Sequence, residues 1–316
     1  MNGTLTIGSR GSDLALWQTN FVKKKLEEKF IALRCEIKII TTTGDWMLDT
    51  ALSKIGDKGL FTRQIESALL AGEIDLAVHS LKDLQTAQPD GLTIGAVSKR
   101  ETPNDVFISR KYASIDELPN GASVATGSLR RKSQLLHYRP DLVISEIRGN
   151  VPTRIKKLDE SGLDGMILAF AGVHRLGLDD RVRQTIPFEI MLPAVGQGAM
   201  AVEVRSDDVK VQEIVSVLND DETFHCITAE RAFLRRLEGG CQVPIGAFAY
   251  IEGDQINLEG VIGNLDGSEN LRERISGDVS DANALGTRLA EQMLEKGAGE
   301  MLQEVRSAVE SSATVH

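Results

Sequence analysis

An α/β fold follows from three features of the chain. Short apolar runs with strand character alternate with helical repeats from residue 4 to residue 173, and that alternation calls for parallel pairing in a sheet covered by helices. Two polar segments marked by proline or glycine, Lys99 to Asn104 and Leu192 to Gly198, interrupt it and read as crossings between domains. After residue 246 the pattern changes to three alternating runs joined by Gly253-Asp254 and Asp266-Gly267, as antiparallel hairpins require. The predicted domains are residues 1–99 with 200–217, residues 104–193, and residues 221–316.

In order, Thr4 to Ser9 alternates as a strand, Arg10-Gly11-Ser12-Asp13 turns, and a helix begins with Ser12 or Asp13 as its cap. Leu14, Trp17, Phe21, Val22 and Leu26 recur at helical spacing, so Trp17 is expected in the core. Cys35 to Thr41 is the next strand. Thr42 to Asp57 is polar and broken by glycine, a helix spans about Leu60 to Ala71, and Asp75 to His79 is a buried strand ending in Ser80-Leu81-Lys82-Asp83. The second domain repeats the logic: strands at Ser123 to Thr126, Val143 to Ile147 and Gly165 to Ala171, helices at Leu129 to His137 and Val151 to Leu158, with Pro152 in a first turn. Met200 to Val204 returns to the first sheet. Helices follow at Val209 to Leu218 and Glu222 to Leu237, strands at Ala247 to Ile251, Ile256 to Ile262 and Leu271 to Ile275, and a helix at Ala282 to Lys296. The polar tail from Ser307 is expected to fray.

Hydrophobic content of 41% and charged content of 26% suit a chain able to bury real cores. No apolar run reaches the length of a membrane span. Met1-Asn2-Gly3-Thr4 lacks the basic-then-apolar pattern of an export signal, and three cysteines cannot all pair with one another. The expected location is the cytoplasm, with a plastid or other organelle left open. The net charge of −10 argues against a nucleic-acid partner. Residues 1–200 carry 26 Lys and Arg against 24 Asp and Glu, while residues 201–316 carry 10 against 22. Cationic groups able to meet a small anion therefore sit in the first two thirds.

Five arginines sit at three strand-to-helix turns: Arg10, Arg130 with Arg131 after Thr126-Gly127-Ser128, and Arg148 with Arg154. A helix start carries partial positive charge, so an arginine there is unfavourable by about 0.3–1 kcal/mol unless something answers it. A carboxylate or phosphate would do so; a local acid or water is the other reading. Asp83, beside Lys82 and near His79, can move a proton or stabilise a developing cation, although an Asp after a strand also serves as a turn or cap. Lys82 could form a Schiff base, and His79 reads as a hydrogen-bonded core residue. The five histidines show no metal-ligand spacing with the cysteines, and Gly196-Gln197-Gly198 lacks the ending of a phosphate loop. Cys241 lies on a loop shaped by Gly239-Gly240 and Pro244. It reads either as a buried structural thiol or as a point of attachment.

These motifs together resemble the porphobilinogen deaminase (hydroxymethylbilane synthase) family over essentially the whole chain. The match runs through Ile7 to Arg10 with Leu14 to Gln18, Lys58 to Phe61, Ala77 to Asp83, Ser128 to Arg131, Arg148 to Val151, Leu192 to Ala199 and Leu237 to Gly246. The resemblance implies two periplasmic-binding-protein-like lobes plus a small α+β C-terminal domain with an antiparallel three-stranded sheet. It implies a dipyrromethane cofactor held by a thioether to Cys241, and porphobilinogen as substrate, deaminated and polymerised head-to-tail before hydrolysis releases hydroxymethylbilane. Asp83 would steady the cationic pyrrole nitrogens. Arg10, Ser12, Lys82, Thr126, Ser128, Arg130, Arg131, Arg148 and Arg154 would hold carboxylates, with Ser80, Lys54, Lys58 and Gln197 as weaker carry-overs. Thr42 to Lys58 would form a mobile lid. The implied protein is a monomer in heme and tetrapyrrole biosynthesis, with no membrane or nucleic-acid partner and no metal. The sequence departs from the family pattern at Gly127, where many relatives have serine, and at Asp57, which replaces a usual glycine. A non-catalytic two-lobed anion binder and a Lys82 Schiff-base enzyme are the rival readings.

Overall fold

A computed structural model describes residues 3–46, 59–238 and 243–314. The chain forms two compact units. Among the described residues, the first comprises residues 3–46, 59–101 and 198–224, and the second residues 102–197, 225–238 and 243–314.

In the first unit, β1 (Gly3–Ser9) leads into α1 (Asp13–Lys29), and β2 (Leu33–Ile39) is followed by the single turn α2 (Thr43–Trp46). Then come α3 (Arg63–Leu70), β3 (Leu76–Ser80) and β4 (Leu92–Val97). In the second unit, β5 (Asp105–Ile108), β6 (Ser123–Ala125), α4 (Leu129–Tyr138), β7 (Val143–Ser145), α5 (Val151–Glu160), β8 (Gly165–Ala169), α6 (Phe170–Arg175) and β9 (Val182–Thr185) form one sheet with its helices. The chain returns to the first unit with β10 (Met200–Arg205) and α7 (Val209–Val215). Helix α8 (Asp221–Arg236) carries it back, and β11 (Ile245–Glu252), β12 (Gln255–Gly263), β13 (Asn270–Asp278), α9 (Ala282–Met293) and α10 (Gly299–Thr314) complete the second unit.

The two five-stranded sheets share one plan. Their orders are β2-β1-β3-β10-β4 and β7-β6-β8-β5-β9. In each, three strands run parallel and the strand entering from a crossing is inserted antiparallel in fourth place. That strand is the reason the expectation of simple parallel pairing does not hold throughout. The inserted strands are almost wholly apolar and buried, as central strands covered on both faces must be. The two sheets thus repeat one α/β plan. The third sheet, β11-β12-β13, is antiparallel and packs Ile256, Leu258 and Ile262 against Phe233, Leu285, Leu289 and Met293. It is joined to its neighbour within the second unit. Arg272 donates to the carbonyls of Phe188 and Glu189 at 2.8 and 2.9 Å, and His137 Nδ1 lies 2.9 Å from the Gly267 carbonyl.

Local signals explain most element starts. Ser12 and Ser128 cap α1 and α4 by accepting from the third residue on, and Asn150 caps α5 from the Thr153 amide at 2.9 Å. Gly149, at φ 116°, lets the chain turn into α5; an added Cβ would stand 2.6 Å from Thr153.

Several expectations are corrected. Trp17 is 37% exposed and stacks on Phe21 at 5.5 Å, because Gln18, Thr19, Val22 and Leu26 occupy the buried face of α1. The strand expected to run to Ala171 ends at Ala169, where α6 begins. The tail from Ser307 is helical to Thr314, because Val305 and Val309, four residues apart, are buried. β4, β5 and β9 are additions to the elements expected.

Candidate active site

In the first unit, the carboxyl ends of β1 and β3 and the amino end of the antiparallel β10 lie along one sheet edge, with Met200 opposite Ser80. Ligands of open α/β sheets collect at such edges. Arg10 leaves β1 there, Ser12 caps α1, and Asp83 closes a single 3-10 turn after β3. These three line one open cavity together with Gln18, Phe61, Thr62, His79 and Ser80. Asp83 is exposed and makes no hydrogen bond or ion pair with another described residue. Lys82 is half-buried and has a partner. Ser80 Oγ accepts from Gln18 Nε2 at 2.9 Å.

Arg10 is answered from within. Its Nε and Nη2 donate to Asp45, and its guanidinium lies 4.2 Å over the Phe61 ring. Asp45 also accepts from the Thr42 amide at 3.0 Å and hydroxyl at 2.7 Å. Burial pushes the Asp45 carboxyl up, but the Arg10 and Thr42 hydrogen bonds outweigh it and hold it below the usual range.

In the second unit the corresponding edge carries the ends of β6, β7 and β8 and, because β5 is antiparallel, its first residue, Asp105, opposite Ala169. Asp105 is fully buried. It accepts from Arg130 Nη1 at 2.8 Å, Arg131 Nη2 at 2.7 Å and Gln197 Nε2 at 2.9 Å. Burial alone would raise its carboxyl, yet the two guanidiniums hold it well below the usual carboxylate range. Two cations on one anion leave a positive charge unmatched by this carboxylate, and Arg131 Nε is a buried donor with no acceptor among the described residues. Thr126 Oγ1 accepts from the Ser128 amide at 3.2 Å, and Ser128 Oγ from the Arg131 amide at 3.4 Å. Arg154 Nε donates to the Gly149 carbonyl at 2.7 Å. Arg148 is half-buried; burial lowers its affinity for a proton, and the Glu146 charge opposes that. An added Cβ at Gly127 would lie 3.3 Å from the Ile147 carbonyl, a tight place for a larger residue.

Cys241, Lys54, Lys58 and Asp57 lie outside the described residues. The structure adds residues that sequence reasoning passed over: Asp45 and Asp105 as the acids behind the arginines, and Glu203 behind His79. The one signal for Asp105 was an acid heading the apolar run Val106-Phe107-Ile108.

Fold and site define a class, an α/β protein with two sheets of one plan whose strand ends are rich in arginine and with a third, antiparallel sheet. Residues 5–213 match the family described as porphobilinogen deaminase, dipyromethane cofactor binding domain, and residues 224–295 match porphobilinogen deaminase, C-terminal domain. A porphobilinogen deaminase of Pelotomaculum thermopropionicum is 53% identical over 97% of this chain and 98% of its own length. That of Chlorobaculum parvum is 51% identical over 97% and 99%. Among solved structures, the methionine-binding protein MetQ aligns over 70% of this chain and 92% of its own with a TM-score of 0.43 and 14% identity, a likeness too loose to bear on function. The chain belongs to the porphobilinogen deaminase family. With that membership come the family's transferase activity in tetrapyrrole biosynthesis and its dipyrromethane cofactor, and the reading as a bare anion-binding protein gives way.

Proposed function

We propose that this chain deaminates porphobilinogen, joins it head-to-tail on a dipyrromethane primer carried by Cys241, and releases hydroxymethylbilane by hydrolysis. The observation that carries the site assignment is Asp83, an exposed carboxylate in a cavity it shares with Arg10 and Ser12. The fit to the cofactor rests on the second unit. A buried guanidinium pair shares one carboxylate, and the orphaned Arg131 Nε calls for a further acceptor, which a group bearing several carboxylates offers. When bound, the dipyrromethane supplies a covalently held primer on which the chain is built.

The protein's own residues bind and orient. Arg131, Arg130, Arg148 and Arg154, with Thr126, Ser128 and Gln197, hold acetate and propionate groups from the second unit. Arg10, Ser12, Lys82 and Ser80 do so from the first, joined by Lys54 and Lys58. Asp83 faces positive charge that develops on the pyrrole nitrogens, where a fixed carboxylate lowers the barrier. The second unit is divided into two domains, one on each of its sheets, so that the protein has three. It acts as a monomer in the cytoplasm, with no nucleic-acid partner. Among the described residues no helix is long and apolar enough to cross a membrane.

The test is the intact mass of the purified protein together with its consumption of porphobilinogen. A mass excess equal to a dipyrromethane, absent from Cys241→Ala, is the expected result. A wild-type protein of bare polypeptide mass that leaves porphobilinogen unchanged would overturn the assignment.

A further inference from the structure

Behind the wall of the Asp83 cavity lies a cluster that the reading above leaves unused. His79, on β3, lines the cavity, and its Nε2 is 3.1 Å from Glu203 Oε2 on β10. The His79 side chain is 5% exposed and that of Glu203 not at all. Glu66, on α3, is 6% exposed and senses the charge of both. Glu203 Oε1 is buried without a hydrogen-bond partner among the described residues, and the Thr62 hydroxyl stands beside the Glu66 carboxyl and favours its charge. Apart from the His79 ring, the cation within electrostatic reach of Glu66 is Arg63, which is exposed and therefore screened. Arg10, from the end of β1, and Asp83, from the turn after β3, are the charged groups on the cavity side, and Arg10 is paired with Asp45.

Two buried carboxylates that sense each other's charge, one of them with an orphaned oxygen, are costly when both are ionised. Burial and the Glu203 charge push the Glu66 carboxyl up, which favours its protonated form. A carboxylate at Nε2 makes that nitrogen the one bearing hydrogen and leaves Nδ1 with the lone pair. It also stabilises the imidazolium that forms when Nδ1 is protonated.

We propose that His79, held at Nε2 by Glu203, takes up the proton released when two pyrroles are joined, and that Glu66 keeps a proton in reserve behind it. This rests on the reading of function above. Joining forms a carbon–carbon bond between the free α-carbon of one ring and the aminomethyl carbon of the next. The aminomethyl carbon–nitrogen bond of the ammonium form breaks, and ammonia leaves with the electron pair. The α-hydrogen leaves as a proton, its bonding pair restoring the aromatic ring. Neutral His79 accepts that proton and yields it to the ammonia, which departs as ammonium, so atoms and charge balance. Glu203 and Glu66 are positioning residues, and Asp83 faces the cationic rings.

The experiment uses the full chain with its cofactor. The kcat–pH profile is measured for wild type and Glu203→Gln, and the His79 tautomer is read in both by nitrogen-15 NMR without substrate. The expected result is an acid limb of kcat moved to lower pH by about one unit or more in Glu203→Gln, since the carboxylate favouring the imidazolium is gone. The Nε2–H tautomer should lose its dominance in the same variant. An acid limb that stays in place while the tautomer changes would overturn the role of His79. Should Glu203→Gln fail to fold, wild type alone decides: the ring of His79 must titrate across the same pH range as the acid limb, and a mismatch overturns the proposal. A wild-type protein inert toward porphobilinogen removes the functional reading itself, whereas normal turnover with an unmoved limb removes His79 only.

Discussion

Asp105 and Arg131 meet at 2.7 Å, the carboxylate wholly buried and the guanidinium nearly so. The pair joins the first residue of β5 to the first turn of α4, and Arg130 closes on the other carboxylate oxygen at 2.8 Å. Removing one member of such a buried arrangement leaves charge unanswered. Asp105→Asn is expected to cost about 3–5 kcal/mol of stability, read from denaturant unfolding at pH 7. The folded carboxyl is held below its unfolded value of 3.8. Its contribution is therefore present above pH 3.8 and is lost as pH falls further, through the folded value. The difference between wild type and Asp105→Asn should accordingly hold from pH 7 to pH 5 and shrink under strong acid. A variant as stable as wild type at pH 7 would show that the arginines are satisfied elsewhere.

The same geometry bears on cofactor loading. Arg131→Leu removes the donor whose Nε has no acceptor among the described residues, while Asp105 keeps Arg130 and Gln197. The variant should fold, with native far-ultraviolet dichroism, and lack most of the dipyrromethane mass excess. Full loading of a folded Arg131→Leu protein would take Arg131 out of cofactor binding.

Asp83 is exposed and without a partner among the described residues, so its removal should be nearly silent for folding. Asp83→Ala is expected to change stability by no more than about 0.5 kcal/mol. Its kcat should fall by about 100-fold or more, because the charge it faces develops only during reaction. Steady-state kinetics beside thermal unfolding checks both halves. Near-normal turnover would assign the charge stabilisation to another group.

Glu66 behaves in the opposite sense to Asp105. Burial pushes its carboxyl above 4.5; the Thr62 hydroxyl is the next largest influence and opposes the rise, the Glu203 charge adds to it, and His79 and Arg63 oppose it. In the window above pH 4.5 the folded protein binds a proton that the unfolded chain has released, so stability falls as pH rises through it. Glu66→Gln should flatten this slope and be the more stable protein at pH 8. Melting temperatures at pH 5 and pH 8 for both proteins provide the comparison, and parallel pH slopes would contradict it.

Cys35 and Cys226 are buried thiols outside any disulfide. Burial, helped by Glu27, pushes the Cys35 thiol up to about 11. At pH 8 roughly one molecule in a thousand then carries the reactive thiolate there. Native protein treated with iodoacetamide should show no label at Cys35 by peptide mapping, and denatured protein full label. Rapid native labelling of Cys35 would mean that β2 opens far more readily than its packing implies.

What could be read without coordinates was local. Ser12 before a helical repeat, Pro152 in a first turn, Gly253-Asp254 between alternating runs and the apolar stretch before Asp83 each act within a few residues, and each element formed there. Strands β4, β5 and β9 were missed for the complementary reason. They are four to six residues long, and only pairing with distant partners distinguishes them from loops. Trp17 was misjudged because helical spacing defines a face but does not say where that face ends.

By itself the sequence determined the alternation of strands and helices, the excess of arginine at helix starts, and, through its motifs, the family. Only the tertiary structure decided what answers each arginine. Asp45 is 35 residues from Arg10, Asp105 is 26 from Arg131, and Glu203 is 124 from His79. No local rule links such positions. Asp105 meets its arginines because the antiparallel β5, inserted beside parallel strands, sets its first residue against their carboxyl ends; antiparallel pairing of β10 with β3 brings Glu203 to His79, and parallel pairing of β1 with β2 brings the turn that bears Asp45 to Arg10. Burial there makes an unanswered charge costly to leave, and so Asp105 and His79 have partners that spacing along the chain does not announce.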